Sequence, residues 1–123
     1  MNTEGFVQAM FKAHPTIRYV GVVDGQYNVL VSKQREGVHS PISEEATRNF
    51  VSIVPAIIVD AVEKLSPYFG KVGGITAHYE EVLVIFYRIG DLTVLISFEH
   101  DESTPFYDRV TESFSKFSSQ YLS

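Results

Sequence analysis

The chain has 123 residues, 45% of them hydrophobic and 20% charged, a composition and length that suit one globular domain over residues 1–123. It contains no cysteine, which excludes disulfides, thiol nucleophiles and thiolate metal centres. Its formal charge of -5 argues against duplex nucleic acid as a ligand, because phosphate contacts need clustered cations. Met1 to Gly5 lack the basic and apolar regions of a signal peptide, and no apolar run approaches the roughly 20 residues that span a bilayer. A soluble cytoplasmic protein with no membrane insertion is expected.

Phe6, Val7, Met10 and Phe11 make an apolar stripe at helical spacing that Pro15 closes, predicting a short first helix. Two alternating runs follow, Ile17 to Val23 and Gln26 to Ser32, separated by Asp24-Gly25, a dipeptide that favours a two-residue type I′ turn. Such a hairpin puts Val20 opposite Val29 and Val22 opposite Tyr27 on one face, with Ile17, Tyr19 and Leu30 on the other. Both faces are apolar, so both should be covered. After the polar stretch Lys33 to Pro41, Ser43 is a candidate N-cap with Glu44 and Glu45 in the first turn. Phe50, Ile53, Val54, Ile57, Ile58, Ala61, Val62 and Leu65 then recur at helical spacing and predict a long helix from Glu44 to Ser66. Pro55 should kink this helix without breaking it, and Pro67 and Gly70 should end it. Val72 to Tyr79, Val82 to Arg88 and Leu92 to Phe98 read as a three-stranded meander, with Tyr87 facing Val94 and Ile85 facing Ile96. Phe106, Val110, Phe114, Phe117 and Tyr121 predict a closing helix capped by Thr104 or Ser103, with Pro105 near its first turn. The fold class is α+β, a three-layer α/β/α sandwich around a five-stranded, mainly antiparallel sheet. The long helix takes one face and the two terminal helices share the other.

Two surfaces stand out. The apolar positions of the long helix sweep an arc of about 240°, more than packing on one sheet needs. Val51, Pro55, Val59 and Val62 form a second apolar flank, expected either to pack under the Lys33–Pro41 loop or to form a dimer or partner interface. The strand carrying Gly73, Gly74, Ile75 and Ala77 should be a sheet edge with little charge to protect it, open to another strand unless the glycines form a bulge.

Catalytic equipment is sparse. His14, His39, His78 and His100 fall in different elements without metal-ligand spacing, and His78-Tyr79-Glu80-Glu81 and His100-Asp101-Glu102 read as solvated turns, so no metal is expected. No serine lies in a G-x-S-x-G elbow, and Gly70-Lys71-Val72-Gly73-Gly74 lacks the spacing and the following helix of a phosphate loop. No acidic pair is forced into an apolar pocket. The loop Arg35-Glu36-Gly37-Val38-His39-Ser40-Pro41 concentrates hydrogen-bonding groups, making Arg35, Glu36 and His39 a candidate binding loop or else a solvated connector.

The order helix, two strands, helix, three strands, helix resembles the roadblock/dynein-light-chain-like and longin-like domains over about Phe6 to Tyr121. Within that group the run Ile17-Arg18-Tyr19-Val20-Gly21-Val22-Val23-Asp24, the Arg35-Glu36-Gly37 loop and Phe69-Gly70-Lys71-Val72 are similar to small archaeal proteins. The resemblance implies a non-enzymatic dimer, joined through third strands edge to edge and middle helices side by side, that serves small GTPases as regulator or scaffold. No cofactor is expected. The alternative functional reading is a sensory domain that binds a small molecule between the sheet and the long helix; an enzyme is disfavoured by the missing catalytic constellation.

Overall fold

The computed structural model describes residues 1–40, 42–99 and 104–123. Its elements are α1 (Thr3–Ala13), β1 (Ile17–Val23), β2 (Val29–Gln34), α2 (Glu44–Val54), a π-helical turn (Pro55–Val59), α3 (Asp60–Glu63), α4 (Ser66–Phe69), β3 (Gly74–His78), β4 (Val82–Ile89), β5 (Leu92–Glu99) and α5 (Thr104–Tyr121). The strands form one sheet in the order β2-β1-β5-β4-β3, with every pairing antiparallel. Ser103, His100-Asp101-Glu102 and Pro41 lie outside the described residues.

The sheet is apolar on both faces because both are covered. On one face Phe6, Val7 and Met10 of α1 and Val110 and Phe114 of α5 close over Val20, Val22, Ile85, Val94, Ile96 and Phe98. The Phe114 ring stacks on Tyr87 at 4.1 Å between centroids and meets Phe6 edge-on at 6.1 Å. The helices α1 and α5 approach closely at Gly5, where a Cβ would lie 2.8 Å from the Tyr121 ring. The Asn2 side chain caps α1 by accepting from Gly5 N, and Asn2 N donates to the Tyr121 carbonyl. On the opposite face Val51, Val54 and Val59 of the long helix meet Tyr19, Val23, Val84, Phe86 and Leu95. The meander register is the one expected, with Ile85 opposite Ile96 and Tyr87 opposite Val94.

The first hairpin differs from expectation. Val20 pairs with Lys33, Val22 with Val31 and Val23 with Val29, so the turn is longer than Asp24-Gly25. The cause is the Asp24 carboxylate, which accepts from the backbone N–H of both Gln26 and Asn28 at 2.9 Å and so organises a wider loop. Tyr27 takes the left-handed conformation there, with φ 65°. Those amide donors also hold the Asp24 carboxyl below its ordinary pKa. A second irregularity lies in β1, whose pairing with β5 shifts between Ile17 and Tyr19. The extra residue, Arg18, is a β-bulge that moves Ile17 onto the same face as Val20, where alternation had placed it opposite.

Ser43 caps α2 as predicted, accepting from Ala46 N at 3.0 Å. Pro55 has no N–H to donate to the preceding turn, and the chain absorbs the loss as a π turn in which Asp60 N donates to the Pro55 carbonyl. The backbone stays right-handed through Val54, Pro55, Val59 and Asp60, so the helix continues past the proline. Gly70, at φ 88°, ends the last turn.

His14 is buried at the end of α1 and shares a 2.7 Å hydrogen bond with Ser113 of α5. Burial, reinforced by the nearby Arg109 charge, lowers its pKa from 6.5. The unfolded chain therefore binds this proton more readily, and stability is expected to be full above pH 6.5 and to fall as the pH drops below it. Urea titrations of the wild type and His14→Gln between neutral and mildly acidic pH check this; the substitution should flatten the dependence.

Candidate functional site

One polar cluster decides which side of the long helix faces outward. Asp60, just after the π turn, accepts from the Tyr27 hydroxyl and from the Arg88 guanidinium of β4, both at 2.5 Å. Glu63 adds a longer ion pair with Arg88 at 3.6 Å. One loop away, Ser52 Oγ donates to the Tyr27 carbonyl at 2.8 Å. Ser52 and Asp60 are two turns apart on one side of the helix, so both ends of that side are tied to the tip of the first hairpin and the edge of β4. The Tyr27 hydrogen bond, followed by the Arg88 contacts, holds the Asp60 carboxyl below its ordinary pKa, while the same bond raises that of Tyr27.

Tethered this way, the helix presents a different face to the sheet from the one its periodicity suggests. Val51 and Val59 are 2% and 1% exposed and Pro55 is buried, so the flank expected to lack a cover is the one that packs on the sheet. Of that set only Val62 lies outside. Of the stripe expected in the core Val54 is buried, but most of the rest forms an outer band: Ile53 is 53% exposed and Ile57 61%, with Ile58, Val62 and Leu65 also exposed. Tyr68 and Phe69 of α4 are exposed as well. The periodicity could not separate these sides because the apolar arc is too wide; the signal was the spacing of Ser52 and Asp60 together with an arginine on an otherwise apolar strand.

β3 is an edge strand, as expected, and among the described residues it pairs with β4 alone. Its register from Gly74 to His78 is regular, so the glycines form no bulge there. Gly73 is exposed and its carbonyl accepts from Arg88 N, whereas the half-buried Ile75 and Ala77 side chains pack against the second core.

The candidate loop divides into parts with different work. Arg35 donates to the carbonyls of Ile17 at 2.5 Å, His14 at 2.7 Å and Phe11 at 2.9 Å, and lies 4.7 Å over the Phe11 ring. It thus satisfies the C-terminal carbonyls of α1 and the start of β1, a structural role. Glu36 is exposed in a turn whose next residue, Gly37, has φ 81°. His39 is exposed and its carbonyl accepts from Arg18 at 3.3 Å. His39 and Arg18 line a cleft of about 640 Å³ between the N-terminal half of α2 and the sheet, while Arg35 and Glu36 do not. Among the described residues no group of three or more His, Asp or Glu is placed to hold a metal ion, and no helix is long and apolar enough to cross a membrane.

Five antiparallel strands carrying one long helix on one face and two terminal helices on the other can be compared with solved structures. A Roadblock/LC7 domain from Streptomyces avermitilis superposes over 99% of this chain and 98% of its own, with a TM-score of 0.72 and 7% identity. The fold is that of a Roadblock/LC7 domain. The gliding protein MglB from Thermus thermophilus matches over 95% of this chain and 90% of its own, with a TM-score of 0.66 and 13% identity. An MglB solved in a tetrameric arrangement matches over 96% and 90%, with a TM-score of 0.66 and 14% identity. No protein-family model matches the sequence, and no curated protein is significantly similar to it.

Asp60→Asn keeps the shape of the tether and removes its charge. It is expected to cost about 1 kcal/mol, the scale of a charged hydrogen bond in a half-exposed setting, read as a lower urea midpoint. Because the folded carboxyl titrates below its ordinary 3.8, the wild type keeps this stabilisation above that pH and loses it as the pH falls further, whereas the asparagine variant has none to lose.

Proposed function

We propose that the chain is a non-enzymatic regulatory or scaffold module, a single domain over residues 1–123, that acts in the cytoplasm as a homodimer and binds a signalling protein such as a small GTPase. The observation that carries this reading is the band Ile53, Ile57, Ile58, Val62 and Leu65, exposed on the outer side of the helix in the same protein as an edge strand, β3, that has no lysine or proline within it. Two copies meeting through these surfaces would cover isoleucines now in water and pair the free backbone groups of Gly74–His78. Each isoleucine taken from half-exposed to buried contributes about 1 kcal/mol before the cost of association is subtracted. The backbone groups of Gly74, Thr76 and His78 point away from β4 and would take the new strand, beside Gly73, Ile75 and Ala77, whose own groups bond β4; Val62 enters through its side chain, and Val51, Pro55 and Val59 support the helix from beneath. The tetrameric arrangement of one MglB neighbour supports an assembling surface on this fold. The GTPase as partner, and kinship with small archaeal proteins, follow from the resemblance in element order and in the Ile17–Asp24 run.

Light scattering over a concentration series checks the assembly. The wild type should have twice the chain mass at low micromolar concentration, and Ile57→Glu should have the single-chain mass with a melting temperature within a few degrees of the wild type. Val59→Asp should instead lose the fold, because its side chain is in the core. A wild type that stays monomeric throughout would reject the homodimer. Co-elution with GTP-loaded small GTPases, lost in Ile57→Glu, would then identify the partner class.

A further inference from the structure

The two faces of the sheet are packed unequally, and the difference leaves a built cavity. Under α1 and α5 the core is continuous, whereas the N-terminal half of α2 stands away from the sheet over a cleft of about 640 Å³. That volume falls within the roughly 300–1,000 Å³ of small-molecule sites. Tyr19, Val84 and Leu95 line it from the sheet, and Phe50 and Val51 from the helix, so an occupant would lie against apolar surface.

Its polar equipment is placed by an irregularity of the backbone. The β-bulge in β1 sets Arg18 out of alternation, and Arg18 and its neighbour Tyr19 both line the cleft, which two successive residues of a regular strand would not do. Arg35 braces this bulge, its side chain donating to the Ile17 carbonyl and its backbone N–H to the Arg18 carbonyl at 2.7 Å. Arg18 is half-buried, makes one long hydrogen bond of 3.3 Å to the His39 carbonyl, and has no carboxylate partner among the described residues. A guanidinium with donors to spare beside an apolar wall is suited to a carboxylate. Glu81 lines the same cleft and would repel a second acidic group.

We propose that this cleft binds a small apolar monocarboxylic acid, its chain or ring between α2 and the sheet and its carboxylate on Arg18. The site lies beneath the helix and is independent of whether the outer band forms a dimer. Decanoate is the probe, with decylammonium as its charge-reversed control, titrated into the protein by calorimetry and by amide chemical shifts. Decanoate should saturate one site and shift amides of β1 and α2, and decylammonium should not bind. Arg18→Gln should weaken decanoate about tenfold, the scale of one charged hydrogen bond. Thr47→Trp, which brings an indole from α2 into the cleft, should abolish binding; should that variant not fold, Arg18→Gln and the amine control decide the matter. Absence of saturation, equal binding of the amine, an unchanged affinity in Arg18→Gln, or affinity that falls as protein concentration rises because a second copy fills the cleft would each overturn the proposal.

Discussion

The carboxylate of Asp60 holds together three elements that are far apart in sequence. It receives the Tyr27 hydroxyl from the first hairpin and the Arg88 guanidinium from β4, and it lies at the point where the long helix resumes after its π turn. A helix that is apolar around most of its circumference can lie on a sheet in several rotations of similar hydrophobic benefit, since burial is non-directional. Directional bonds at Asp60 and Ser52 remove that freedom. They turn Val51, Pro55 and Val59 inward and leave Ile53 and Ile57 outward.

From that choice the functional character of the two faces follows. The face under α1 and α5 has the larger core, with stacked aromatic rings and a capped, closely approached helix pair. The face under the long helix has a smaller core, an apolar outer band, and a cleft where the first turns of α2 do not reach the sheet. Pro55 contributes by converting one turn to π geometry, a feature found frequently at functional sites.

The parts legible in the sequence were those governed by short-range periodicity. The Ser43 cap, the meander register around Ile85 and Ile96, the edge position of β3 and the division of helices between faces all rest on spacings of a few residues. What escaped depends on side chains that bond across the fold. Asp24-Gly25 favours a tight turn, yet the Asp24 carboxylate reaches the amides of Gln26 and Asn28 and widens the loop, moving the register of β2. Arg35, in a polar loop, read as either a ligand-binding side chain or part of a solvated connector, and its three carbonyl acceptors come from Phe11, His14 and Ile17, which no linear pattern connects to it. The bulge at Arg18 interrupts alternation without a glycine or proline to announce it. The wide apolar arc of the helix concealed its orientation for the same reason: hydrophobicity marks what can be buried, and only the polar tether says which part is.

The rotation of the long helix is the claim on which the remainder depends, and the absence of native cysteine makes it directly measurable. Single cysteines at positions 57 and 59 should be labelled with a maleimide in protein diluted far below the assembly range. The account predicts that Ile57→Cys reacts at the rate of a free thiol and that Val59→Cys reacts only as fast as the protein unfolds. Rapid labelling at 59 with protection at 57 would show the helix turned the other way and would contradict the account.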